Sequence, residues 1–253
     1  MSTKYALFSE IPNAGQVAEY LARFAPDPAS AGVYTHGKLR VEGHSMRTSR
    51  ILTMVFLAGA MAQAAELTGE VKVTGRKDSV PTYVYAEPAS GSAAVKPGHF
   101  TMKQVNKEFT PHVLVVPVGS TVDFSNEDTV LHNIFSMTKP GGFDLGLYKT
   151  SKPVVFKYAN LYRVFCNIHP EMTAVILVVP TSHIAEVDAS GRYHLEVPAG
   201  KYKVTAWSER AEAPVTVEAA AGASAPALTL DESKYVELPH KNKFGKEYNY
   251  PTK

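Results

Sequence analysis

Among its 253 residues the chain has one cysteine, one tryptophan and no excess of charge of either sign. A single thiol cannot close an intrachain disulfide, so no disulfide framework holds the fold. Nor can it supply a binuclear metal site bridged by two thiolates, or a C-x-x-C-H haem attachment. With 26 basic and 24 acidic side chains, the chain shows no electrostatic footprint for nucleic acid. The apolar run ILTMVFLAGAM (51–61) falls well short of the ~20 residues that a bilayer crossing needs. The cysteine, Cys166, is therefore either a ligand or a small buried hydrophobe.

The first 45 residues read differently from the rest. NAGQVAEYLARFA (13–25) has helical amphipathicity, but PDPASAG (26–32) breaks it. From Met46 a leader pattern begins: Arg47 and Arg50 form a basic region, the apolar run follows, and Ala62-Gln63-Ala64 makes an A-x-A cleavage site. The expectation is that residues 46–64 are a signal peptide and that 1–45 are a mis-assigned upstream extension. Without a twin arginine, export runs through a Sec-type route to the periplasm. With no cysteine at the cleavage site, no lipid anchor follows, and no stable membrane anchor is expected after cleavage.

From Ala65 onward short strand-like runs alternate with Gly, Pro, Asn and Asp. LTGEVKVTG (67–75) and PTYVYAEP (81–88) alternate with period two, and ASGSAAVKPG (89–98) reads as a loop. Residues 99–128 read as two or three strands, and 135–153 as a long, glycine-rich irregular stretch. Residues 183–209 follow a strand, D-x-x-G turn, strand, P-x-G turn, strand order, and APVTVEAA and APALTLD come after it. No helix of ordinary length is forced by periodicity anywhere in 65–253, so the chain is expected to be all-β.

The chemistry concentrates in YRVFCNIHPEMTAVILVVP (162–180). Cys166, His169 and Met172 form a C-x-x-H-x-x-M loop between two runs rich in β-branched and aromatic residues. A thiolate, an imidazole and a thioether so close together, joined by a second imidazole, suit a blue-copper site of two His and one Cys with a weak axial Met. His132, in VLHNIF, is the candidate for the second imidazole. At these residues the chain resembles a cupredoxin from about Phe100 to Pro180. The likeness rests on V-P-V-G-S-x-V-x-F-x-N (116–126), on His132-Asn133 and on the C-x-x-H-x-x-M loop, which is most similar to that of amicyanin. Family members often carry a glycine before the aromatic of the strand leading to the cysteine. Ala159-Asn160 stands there, and Asn tolerates a left-handed backbone.

The resemblance implies one type 1 copper ion held by His132, Cys166, His169 and Met172 in a Greek-key β-sandwich. It assigns Asn133 the task of tying the two ligand-bearing loops together. Ile168 stands at the second position after the cysteine, where several relatives have proline, so its N–H is free to bond the thiolate. Pro170 stiffens the loop and removes a donor beside His169. The resemblance further implies an apolar docking patch, with Met137, Pro140, Phe143, Pro170 and Ile168 as candidates. A second metal site using His99, Met102 or His112 is a weaker possibility, and His183, His194 and His240 read as isolated. Trp207 reads as sandwich core.

Residues 183–231 resemble a carboxypeptidase-regulatory-like, transthyretin-type β-sandwich with too few strands, and 67–88 resemble its missing opening. The expected division is 65–98 as opening strands, 99–180 as the cupredoxin, 181–232 as the second sandwich and 233–253 as a basic tail lying over the surface. The functional expectation is a periplasmic carrier of single electrons, not an enzyme, since H-x-H clusters, a G-x-S-x-G elbow, an H-E-x-x-H helix and a P-loop are all missing. Its partners would be redox proteins such as a cytochrome c or a dehydrogenase or oxidase, and the likeness to amicyanin points to a methylamine-utilisation setting. Two alternatives stand beside it: a copper-delivery protein, and an assembly module with incidental metal.

Overall fold

The computed structural model describes residues 64–76, 80–92, 94–237 and 239–248, and every regular element there is a β-strand. The expected upstream extension and the leader up to residue 63 lie outside the described residues. In chain order the strands are β1 (Ala64–Thr74), β2 (Thr82–Pro88), β3 (His99–Val105), β4 (Glu108–Thr110), β5 (Val113–Pro117) and β6 (Thr121–Asn126). They continue with β7 (His132–Ser136), β8 (Phe143–Tyr148), β9 (Ser151–Val155), β10 (Asn160–Cys166) and β11 (Thr173–Val179). The last are β12 (Ile184–Glu186), β13 (Arg192–Pro198), β14 (Lys201–Ser208), β15 (Val215–Ala220) and β16 (Leu228–Asp231).

Strands β3 to β11 form the expected Greek-key sandwich. One sheet has the order β4-β3-β6-β9 and the other β5-β11-β10-β7-β8. Alternation sets which side chains enter the space between them. In TVDFSN of β6, Val122 and Phe124 are fully buried while Asp123 and Ser125 face outward. They meet Met102, Ile134, Tyr162, Val164 and Ile176 in one core that also contains Cys166 and Met172. Strand β11, TAVILVV, is apolar without alternation because both of its faces are covered. Ala174, Ile176 and Val178 face this core, whereas Val175, Leu177 and Val179 turn to the other side, against Tyr85, Val80 and the lone tryptophan, Trp207.

The remaining strands make two further sheets, β13-β1-β16 and β12-β2-β14-β15, around a separate core of Leu67, Val71, Val84, Leu195, Val204, Leu228 and Leu230. Strand β1 pairs antiparallel with β13 and parallel with β16, and β2 lies between β12 and β14. Segments that flank the Greek-key sandwich in the sequence therefore hydrogen-bond to one another across it.

Three sequence expectations change in detail. The stretch 135–153 is not irregular: it carries β8 and most of β9, hidden in the sequence by Gly146 and Pro153. Both are at home on outer strands, since β8 and β9 each end a sheet. Residues 99–128 hold four strands, because a two-residue turn at Asn106-Lys107, both at positive φ, splits the first run into β3 and β4. Asn160 adopts no left-handed backbone. It opens β10, its Oδ1 accepting the Leu161 N–H.

Candidate metal centre

The hairpin of β10 and β11 places three of the four expected ligands. Cys166 is the last residue of β10, and Met172 immediately precedes β11. The loop between them is closed by two backbone bonds, from Cys166 N–H to Met172 O at 3.2 Å and from Met172 N–H to His169 O at 3.1 Å. His132 comes from the start of β7, all five of whose residues are buried, and β7 pairs with β10 at Cys166↔Ile134. A further bond, Asn167 N–H to Asn133 O at 2.8 Å, locks the loop to that strand.

These elements bring three donors together. Sγ of Cys166 lies 3.8 Å from Nδ1 of His132 and 3.6 Å from Nδ1 of His169, and the two nitrogens are 3.1 Å apart. The point equidistant from the corners of that triangle is about 2 Å from each, the length of a metal–imidazole bond. Cys166 and His132 are fully buried, and His169 is partly exposed. Met172 is fully buried in the same core. A soft thiolate with two imidazoles, in a cluster of this size, fits a type 1 copper site.

The protonation chemistry points the same way. Asp128 Oδ2 accepts a hydrogen bond from Nε2 of His132 at 2.9 Å, which leaves the lone pair of Nδ1 facing the sulfur. Burial, and then the neighbouring His132 ring, push the pKa of His169 down, so its imidazole favours the neutral, ligating form. Burial pushes the Cys166 thiol up, although backbone N–H groups of Ile168, Asn133 and His169 bond the sulfur and pull the other way. The pocket thus offers hydrogen bonds that favour a thiolate, and a bound cation would favour it further.

The N–H of Ile168, left free by its non-proline identity, is among the groups that pull the Cys166 thiol down. Asn133 ties the ligand-bearing segments by a different route from the expected one. Its side chain turns away from the ligand loop and donates from Nδ2 to Asp144 Oδ1 at 2.7 Å, and it is its main-chain carbonyl that joins the two ligand-bearing segments. The expected docking candidates also separate. Met137 (63% exposed), Pro140 and Pro170 are exposed, whereas Phe143 and Ile168 pack against the core.

The histidines set aside as a second metal site are not brought together. His99 pairs with Asp123 at 2.7 Å, Met102 is fully buried, and His112 bonds Thr173 O and Glu209. His240 is not isolated. It lies against the ligand loop, with its Nε2 2.7 Å from Pro170 O. Sequence reasoning passed over Asp128, whose carboxylate also accepts the N–H groups of Asn106 (2.6 Å) and Lys107 (2.9 Å) and so joins the β3–β4 turn to His132. In the sequence Asp128 ends an Asn-Glu-Asp run typical of a turn, which marks the place without revealing the role. Burial alone would push Asp128 up, but the bonds from Lys107, His132 and Asn106 outweigh it and hold its carboxyl below the usual range.

No protein-family model matches the chain, and no curated protein does. Among solved structures it is similar to a copper-containing nitrite reductase from Thermus scotoductus, at 30% identity over 37% of this chain, with a TM-score of 0.31. The chain spans about a quarter of that reductase, 25% of its length. It is also similar to a purple cupredoxin from Nitrosopumilus maritimus, at 26% identity over 31% of this chain and 98% of that one, with a TM-score of 0.28. A reduced amicyanin variant is 22% identical over 38% of this chain and 99% of that one, with a TM-score of 0.31.

Proposed function

We propose that the protein is an exported mononuclear blue-copper protein that carries single electrons between partner proteins. The observation that supports this is the convergence of the Cys166 sulfur with Nδ1 of both His132 and His169 at the end of one sandwich, with Met172 buried beside them. Copper held by these donors supplies one-electron exchange between its two oxidation states. The chain's own residues do the rest. His132, Cys166 and His169 would hold the metal, with Met172 as a weaker fourth donor. β-strands on either side of a short loop keep donor directions fixed, so that little motion accompanies a change of charge. His169, the ligand nearest solvent, is the port through which electrons enter and leave, and the exposed Met137, Pro140 and Pro170 are the surface that partners touch.

The reading extends to the rest of the chain. We infer a leader over 46–64, a periplasmic address, a copper domain over 99–180 set into a second sandwich made by 65–98 and 181–232, and a basic tail over 233–253. The partners would be small redox proteins or a dehydrogenase, and the chain by itself would catalyse nothing.

The test is to load the protein with Cu(II), record its visible spectrum and follow it by voltammetry. An intense thiolate-to-copper band with reversible redox is expected, and Cys166→Ala should abolish the band. A colourless protein that holds only Cu(I) and releases it readily would replace the electron carrier with a copper-delivery role.

A further inference from the structure

The chain beyond β16 does not wander over the surface at large. It returns to the metal centre. Tyr248 Oη donates to the main-chain carbonyl of Cys166 itself at 2.7 Å, across 82 residues of sequence. Nε2 of His240 donates to the carbonyl of Pro170, the residue after His169, at 2.7 Å. The His240 ring is stacked on Phe165, the neighbour of Cys166, with centroids 4.2 Å apart and planes 24° from parallel. Tyr248 in turn meets His240 edge-on at 5.2 Å. Between them, the Lys243 N–H donates to Asn167 Oδ1 at 3.0 Å, and Lys243 Nζ reaches Asp144 Oδ2 at 2.7 Å. Asp144 is the carboxylate whose other oxygen takes the side chain of Asn133.

Each contact falls on a ligand or next to one: on Cys166, and on Phe165, Asn167 and Pro170, with Asn133 reached through Asp144. We propose that residues 239–248 are a clamp belonging to the metal centre, with Tyr248, His240 and Lys243 as positioning residues that hold the Cys166–Met172 loop in its metal-binding shape before any ion arrives. The physical reason is preorganisation. A short loop at the rim of a sandwich has carbonyls that water would otherwise bond, and a loop solvated in that way samples conformations in which the donors diverge. The clamp replaces that water with side chains anchored on a ring stack and an ion pair. The ordering cost is then met on folding and not on binding. A mere surface tail would spread its bonds along a face. This one places four hydrogen bonds on a single loop and its brace.

The link to metal retention rests on the copper reading, and the clamp itself does not, so the test keeps them apart. In the full-length, metal-free protein, hydrogen exchange of the amides from Asn167 to Met172 is compared between the native chain and Tyr248→Phe, which removes one hydroxyl and keeps the ring. His240→Ala is read separately, so a folding failure in one variant leaves the other informative. Loop exchange should rise about fivefold in Tyr248→Phe, the weight of one neutral hydrogen bond, with exchange in β6 and β14 unchanged. In the copper-loaded protein, transfer of Cu(I) to a chelator in excess should quicken by a similar factor, and the absorption band should shift. Unchanged loop exchange in both variants would overturn the clamp. Faster loop exchange in a chain that binds no copper would leave the clamp standing and remove the copper reading.

Discussion

Asp128 and His132, four residues apart on the approach to β7, meet at 2.9 Å with the ring fully buried and the carboxylate accepting Nε2–H. The bond selects the tautomer whose Nδ1 faces Cys166. Because Asp128 also accepts two N–H groups from the β3–β4 turn, the ring is aimed by a part of the fold that carries no ligand. Asp128→Ala should weaken metal binding by about 10- to 100-fold, the usual consequence of losing the outer partner of a ligating imidazole. A competition titration against a chelator of known affinity measures it, and native affinity in the variant would remove Asp128 from the site.

Ile168 offers its N–H to the Cys166 sulfur, which draws charge away from the thiolate and favours the reduced metal. Ile168→Pro deletes that donor, together with the part of the isoleucine side chain that packs against the core. The reduction potential should fall by about 40 mV, one hydrogen bond of ~1 kcal/mol expressed on a one-electron couple. Voltammetry reads it directly, and an unchanged or raised value would show that the bond does not tune the sulfur.

Tyr148 and Gln104 form a buried polar pair inside the copper-side core. Tyr148 Oη donates to Gln104 Oε1 at 2.7 Å, and Gln104 Nε2 donates to Met102 O at 3.0 Å, with Gln104 fully buried. Tyr148→Phe leaves the amide oxygen unpaired in an apolar space and should cost about 1–3 kcal/mol of stability. Urea unfolding of the metal-free protein is the measurement. A loss near zero would mean that water reaches Gln104 in the variant.

His112 links the start of β11 to the residue after β14, with one ring nitrogen 2.8 Å from Glu209 and the other 2.9 Å from Thr173 O. Both partners are acceptors, so the doubly protonated ring is favoured. The bond to Glu209 is the chief cause of a pKa raised above the ordinary 6.5. A raised folded-state pKa contributes stability that is full below the unfolded value of about 6.5 and disappears as pH climbs through the folded one. His112→Ala should therefore lower the melting temperature at about pH 5 and have little effect at about pH 9, with the energy limited by the half-exposed ring to about 1 kcal/mol. An equal loss at both ends would assign the effect to packing.

Much of the candidate site was legible because three of its four expected donors sit within one loop. Cys166, His169 and Met172 lie so close in the chain that spacing alone reads as chemistry, and His132 followed from what that set lacked. The β8 and β9 strands were not legible, because Gly146 and Pro153 look like loop residues unless one knows that these strands lie at sheet edges. Asp128 resembled any turn aspartate, since its task depends on a hairpin more than twenty residues earlier. The tail was expected over the surface, but its contacts with the ligand loop were not legible, for a related reason. His240 and Tyr248 are ordinary side chains until folding carries them onto Phe165 and Cys166, and no local pattern announces a contact at that separation.

The pairing of β1 with β13 and β16 also has a temporal side. Thr74 bonds Leu230 across 156 positions, whereas β3 to β11 find their partners inside a much shorter span. Closing the longer loop costs more chain entropy, and contacts of high sequence separation form late. As the polypeptide emerges, the strands that present Cys166 and His132 have all their partners by Val179, while β1 and β2 must wait, unpaired, for strands that begin only at Ile184. The metal-binding sandwich is thus able to assemble first and hold the two ends of its host near each other. Tyr248, close to the end of the chain, then reaches a loop that is already in place.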